Sequence, residues 1–159
     1  MKKSGIWILA LAVAVLFTAC AAKPAEEAQG AEDTARAFLT SFYTADEGDR
    51  YTTFLSETAS AADDETLDAA AAQYRASLAV LSTEALADSL VNNRTLSKYD
   101  EAHAGQDVQV EAVELNEDDG FYAFTVKIDA GGTEETYTGQ ISVAEDSGLV
   151  DNFHEASRS

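Results

Sequence analysis

Few side chains in this sequence could do chemistry. There is one cysteine, Cys20, and there are two histidines, His103 and His154. Tyr43, Tyr51, Tyr74, Tyr99 and Tyr122 fall within or beside apolar runs. A proton-transfer site would need an acid or base in an apolar setting, facing a hydrogen-bond donor, because burial raises the pKa of a carboxylic acid. No Asp or Glu interrupts the apolar faces expected for the strands. Asp129 and Asp151 fall near strand ends, where solvation accounts for them. Tyrosines on apolar faces ordinarily belong to the core, with the hydroxyl tied down or at the rim. His103 follows Asp100 and Glu101 in a polar stretch and is expected to be exposed. His154, at the end of the last expected strand, is the better histidine for a pocket mouth. The candidate pocket set is Tyr43, Tyr51, Tyr74, Tyr122 and His154, with no catalytic residue assigned.

The acidic clusters Asp63-Asp64-Glu65 and Glu117-Asp118-Asp119 lack calcium-loop spacing, which puts glycine at the sixth position and glutamate at the twelfth. They read as solvated turns. Two histidines and one cysteine argue against a zinc site. A glycine-rich phosphate loop, a Gly-x-Ser-x-Gly elbow and a Ser-His-Asp set are all missing from the sequence. Neither a metal nor a cofactor is expected.

The place of Cys20 gives it a different meaning. Leu16-Phe17-Thr18-Ala19-Cys20 closes an uncharged run from Gly5 to Ala19, fifteen residues long, behind Lys2 and Lys3. A basic start, an apolar middle and small residues at the cut are the layout of a secretory signal. With cysteine directly after the small residues, the stretch resembles the lipobox of bacterial lipoproteins, although Phe17 stands where leucine is usual. The resemblance implies residues 1–19 as a cleaved signal and a thioether-linked diacylglycerol on Cys20, usually joined by a third acyl chain. Two chains hold a protein stably on a membrane where one does not. The expected location is the extracytoplasmic face of a bacterial cell membrane. The alternatives are a plain secreted protein and a membrane-spanning anchor. Fifteen helical residues reach roughly 22 Å against about 30 Å of hydrocarbon, short for a stable span. Ala21 follows the cysteine, so an aspartate retention signal is not present there.

Ten basic residues stand against twenty-nine acids, a formal charge of −19; without Lys2 and Lys3 it is −21. That argues against nucleic-acid binding, which needs basic surface to displace counterions, and against adhesion to anionic lipid beyond the anchor. The bland reading of the acidity is solubility. With Cys20 lipidated no disulfide partner remains, and the roughly 130 residues after the tether suffice for one core.

Residues 20–30 hold the lipidated cysteine, the only proline and no large apolar side chain, and are expected to be a flexible tether. From about Glu32 the spacing of Ala35, Phe38, Leu39 and Phe42 predicts a helix ending near Asp46-Glu47-Gly48. Asp49 is expected to cap a shorter helix whose Tyr51, Phe54 and Leu55 share a face, and Ser56 to Asp64 to form a connection. Asp63 or Asp64 then caps a third helix with Leu67, Ala70, Ala71, Tyr74, Leu78 and Leu81 as its stripe. Ser82 or Thr83 caps a fourth with Leu86, Leu90 and Val91, stopped at Asn92-Asn93, and a further short helix is expected around Tyr99. After Gly105 the period becomes two. A parity slip between Ala112 and Val113 predicts a β-bulge. Tyr122, Phe124, Val126 and Ile128 alternate cleanly, and Tyr137, Ile141 and Val143 line the next strand. Turns are expected at Asn116–Gly120, Gly131-Gly132 and Asp146-Ser147-Gly148, with a last strand over Leu149–His154. Three or four helices followed by a four-stranded antiparallel meander make an α+β fold with the helices on one face.

This order, with Ala35-x-x-Phe38-Leu39-x-x-Phe42-Tyr43, Tyr51-x-x-Phe54-Leu55, Leu81-Ser82-Thr83-Glu84-Ala85-Leu86, Asn93-Arg94, Tyr99-Asp100, Tyr122-x-Phe124-x-Val126, Gly139-Gln140-Ile141 and Asp151-Asn152-Phe153, resembles exported domains of the nuclear transport factor 2-like superfamily over residues 31–159. The resemblance implies a cystatin-like cone, a curved sheet wrapped on helices. Its motifs are mostly packing positions, so it speaks for fold more than activity. The superfamily holds isomerases, cyclases, dehydratases, ligand carriers and many lipoproteins. Two functions remain open. One is a non-catalytic binding or interaction module for a small apolar ligand or a protein partner. The other is an isomerase or lyase acting on a small apolar molecule in the cone. A homodimer through the sheet face is a third expectation.

Overall fold

The computed structural model describes residues 25–44 and 49–159. Cys20, the expected signal and the expected helix stop at Asp46-Glu47-Gly48 lie outside them. The fold is α+β: five helices, then a four-stranded antiparallel sheet in the order β1-β2-β3-β4.

Helix α1 (Ala25–Tyr43) starts seven residues before Glu32, so the second half of the expected tether is helical. Alanine and glutamate are strong helix formers, and they supply four of its first four residues. Ala35, Phe38, Leu39, Phe42 and Tyr43 are fully buried, the spacing of one helical face. That face touches all four strands. Arg36 pairs with Glu32 at 2.7 Å and donates to the Val113 carbonyl.

Helix α2 (Asp49–Ser60) extends through the stretch expected as a connection. Its small polar residues stay helical by turning their hydroxyls back on the chain: Thr58 donates to the Phe54 carbonyl at 2.8 Å and Ser60 to that of Ser56 at 2.7 Å. Tyr51 is buried, but Leu55 is 47% exposed. The face in use is set by α3, where Phe54 stacks on Tyr74 at 4.5 Å, and Leu55 is turned off it. Helix α3 (Asp64–Ala79) opens with a capping box, Asp63 accepting from the Thr66 amide at 2.9 Å. Ala70, Tyr74 and Leu78 are its buried stripe; Leu67 is exposed because residues 62–69 are uncovered.

Thr83 caps α4 (Glu84–Asn92), its hydroxyl accepting from the Leu86 amide at 3.3 Å. The Thr83 amide also donates to the Val150 carbonyl at 2.8 Å, clipping the α3–α4 connection to the last strand. Thr83→Ala removes only the cap and is expected to destabilise the protein by about 1 kcal/mol, read as a shift in urea midpoint. An unshifted midpoint would show that the cap is replaced by water. Helix α5 (Thr95–Ala102) follows a residue in the left-handed region, Arg94 at φ 60°.

Strands β1 (Val108–Asp118) and β2 (Phe121–Ala130) are joined by Asp119-Gly120, both at positive φ, the pattern of a tight hairpin turn. The β1 bulge lies between Val110 and Ala112, earlier than the parity slip suggested, and Asn116–Asp118 belong to the strand. Tyr122, Phe124, Val126 and Ile128 alternate buried as expected, and Ala130 continues the row. Strand β3 (Thr133–Val143) and strand β4 (Val150–Arg158) complete the meander; β4 runs four residues past His154. Their pairing is irregular at Thr138/Gly139 and at Ser142/Val143.

Candidate binding cavity

A cavity of about 430 Å³ opens between α4, α5 and the outer part of β3 and β4. Its apolar wall is Phe42, Leu86, Leu90, Tyr99, Tyr137 and Phe153. The aromatic rings form one connected floor: Phe42 lies 4.8 Å from Phe153 and 5.6 Å from Tyr99, and Tyr43 lies 4.7 Å from Tyr137. Its polar rim holds Ser89, Asn93, Lys98, His154, Glu155 and Arg158.

Beneath the floor every hydroxyl is engaged. Tyr99 donates to the Tyr43 carbonyl at 2.6 Å, satisfying a carbonyl left over at the end of α1. Tyr43 donates to Glu155 Oε2 at 2.8 Å and Tyr137 to Glu135 Oε2 at 2.6 Å. Arg158 Nη2 donates to Glu135 Oε1 at 2.7 Å, with its guanidinium 5.6 Å from the Tyr137 ring centre.

His103 is 1% exposed, against the expectation of a surface histidine. It is the residue that closes α5, one turn beyond the buried Tyr99, so its position at the helix end overrides its polar neighbours. Its Nδ1 lies 2.8 Å from the Tyr99 carbonyl and its Nε2 3.2 Å from Glu135 Oε2. Neither His103 nor Glu135 lines the cavity.

A second polar cluster lies behind the first. Asp100, 1% exposed, accepts from Arg50 Nε at 2.8 Å, from Arg50 Nη2 at 2.6 Å and from the Tyr74 hydroxyl at 2.7 Å. Arg50 also donates to the Ser41 and Phe42 carbonyls at 3.3 and 3.0 Å. One carboxylate thus ties α2, α3 and α5 to the end of α1.

The expected pocket residues therefore divide. Tyr43 lies under the cavity and His154 at its rim. His154 is exposed and pairs in register with Gln140, on the outward side of the sheet. Tyr74 lines a separate cavity of about 240 Å³ beside α2 and α3. Tyr51 and Tyr122 are core residues that line neither. Glu135, Tyr137, Lys98, Arg158 and Asp100 were not in the candidate set. For Glu135 a signal existed: it shares strand parity with Tyr137, which points it inward. Asp100 and Arg50 are fifty residues apart and carry no such signal.

Burial, with hydrogen bonds from Tyr43, Tyr74 and Tyr137 to carboxylates, pushes these phenols well above the ordinary tyrosine range. Burial alone does most of this for Tyr99. For Glu135, burial opposes ionisation, but hydrogen bonds from Tyr137, Arg158 and His103 outweigh it and hold the carboxyl below its ordinary 4.5. A folded value below the unfolded one gives stability that is present above 4.5 and lost as pH falls through the lower folded value. Glu135→Gln is accordingly expected to lower the urea midpoint at about pH 6 and to approach the parent at about pH 3. Parallel profiles would contradict this.

Among the described residues, no three His, Cys, Asp or Glu side chains lie together so as to hold a metal ion, and no helix is long and apolar enough to cross a membrane. Comparison of the chain with protein-family models, curated proteins and solved structures finds no match.

Proposed function

We propose that the protein is an extracytoplasmic lipoprotein, anchored through acyl chains on Cys20, whose α+β domain is a non-catalytic binding module. The observation that carries the binding reading is the cavity of about 430 Å³ with an aromatic floor and a polar rim, within the size range of small-molecule sites. The helices-then-meander order and the burial of Phe38, Phe42, Phe124 and Phe153 support its likeness to cone-shaped nuclear transport factor 2-like domains. Binding is favoured over isomerase or lyase chemistry by how the hydroxyls at the floor are used: those of Tyr43 and Tyr137 are tied to carboxylates and that of Tyr99 to a backbone carbonyl. The outward side of the sheet carries Gln109, Glu114, Lys127, Thr138 and Gln140 beside Ala123 and the exposed Phe121, a mostly polar face, which favours the cavity over dimerisation through the sheet.

Photolabelling the membrane-bound chain with benzophenone, followed by peptide mapping, tests the cavity. Label is expected on residues 86–102 and 153–158. Label confined to the surroundings of Leu55, Leu67 or Val80, which are exposed apolar side chains elsewhere, would overturn the reading. The anchor is tested on the same material by the mass of its first peptide. It should begin at Cys20 and carry the diacylglycerol increment; an N-terminus at Met1, or an unmodified Cys20, would refute it.

A further inference from the structure

We infer that the cavity takes a small molecule with an apolar body and a single anionic head, a carboxylate, with Lys98 meeting the head; this rests on the binding reading above. The argument starts from which charges are already spoken for. Among the described residues, Arg36, Arg50, Arg75, Arg94 and Arg158 each face a carboxylate, at 2.6 to 3.7 Å where the pairing is of ordinary length. Only Lys98 and Lys127 have no carboxylate partner among the described residues. Lys127 sits on β2, paired with Thr136 on the outward side of the sheet. Lys98 lines the cavity.

The acids near the cavity are in the opposite condition. Glu155 accepts the Tyr43 hydroxyl from the floor, and Glu135 accepts from Tyr137 and Arg158 with His103 alongside. Both oxygens of Glu135 are committed to holding the floor in place, whereas Glu155 gives only Oε2 to it and stays an anion on the rim. Arg158 commits Nη2 to Glu135 and makes no other hydrogen bond among the described residues, so it can add donors beside Lys98. Lys98 is thus the rim cation without a carboxylate partner among the described residues, in a chain of formal charge −19. A long-range field of that sign attracts cations, but it is screened within about 8 Å in physiological salt. The short-range donors at the rim therefore decide which head group is held. Tyr99 and Phe153, over the buried Phe42, give the body of the ligand an apolar wall, and Lys98 lines the same cavity.

Three probes with one apolar body separate the possibilities: phenylacetate, 2-phenylethanol and 2-phenylethylamine. Each is titrated calorimetrically into the full-length chain in lipid nanodiscs, with empty nanodiscs as the blank. Phenylacetate is expected to bind tightest, and Lys98→Ala to weaken it by roughly fivefold, the size of one solvent-facing ion pair, while leaving 2-phenylethanol unchanged. Lys98→Arg should restore most of the loss. Raising the salt should weaken phenylacetate and leave 2-phenylethanol unchanged. Lys98 is exposed, so these variants leave the core untouched. Equal binding of acid and alcohol, tighter binding of the amine, or indifference to Lys98→Ala would overturn the head-group assignment and leave the cavity as a binding site. Heat above the blank for none of the three would overturn the binding reading as well.

Discussion

Asp100→Ala is expected to destabilise the protein by about 3–5 kcal/mol, the cost of leaving a buried charge without its partner. Arg50 is 12% exposed and grips the carboxylate with two donors. Without it, the guanidinium keeps only two carbonyl acceptors, and the Tyr74 hydroxyl loses its acceptor altogether. Against a total stability of about 5–15 kcal/mol for a domain of this kind, that is enough to leave a large unfolded fraction. The double variant Arg50→Met with Asp100→Leu should recover much of the loss, because replacing both members of a buried pair by apolar groups is often near neutral. Urea unfolding followed by far-ultraviolet circular dichroism measures both. A single-variant loss below about 1 kcal/mol would show that the pair behaves as a surface ion pair and that the helices are held by packing alone.

Gly139→Ala is expected to destabilise by about 3 kcal/mol, the upper end of ordinary overpacking. A methyl on Gly139 would lie 2.1 Å from the His154 carbonyl oxygen and 2.7 Å from Cζ of Phe124. The first neighbour is backbone, so relief requires β4 to move away from β3 at the irregular step after Thr138. The second is the ring that stacks on Phe153 at 5.6 Å and 7°. Both movements reach the cavity wall, since Phe153 and His154 line it. The variant should therefore lose probe binding as well as stability. Full binding with an unchanged midpoint would mean that the strands separate here without cost.

The sequence made the order of elements legible because the hydrophobic period changes once, from helical to two, after Gly105. Buried faces followed where the stripe is long, as in Ala35, Phe38, Leu39 and Phe42. They failed where a helix is only partly covered, as at Leu55 and Leu67, because periodicity reports an apolar side chain and not whether a neighbour exists to cover it. The site was less legible. Tyr43 and His154 adjoin the cavity, but its floor depends on Glu135 and Tyr137 meeting His103 from another element. Such meetings are set by how α5 seats against β3, which local spacing does not encode. His103 was misread for the same reason: its polar neighbours Asp100 and Glu101 suggested solvent, yet Asp100 is itself buried against Arg50.

The central claim is that the cavity between α4, α5 and β4 is a ligand site. Native mass spectrometry of the full-length protein, released gently from its own membranes, tests it most directly when paired with Ala102→Trp. Ala102 is exposed and lines the cavity, so an indole there fills the site without disturbing the core. The account predicts an adduct of defined mass on the wild-type protein and none on the variant. The same adduct on both proteins, or a bare wild-type chain that also refuses every probe, would contradict it.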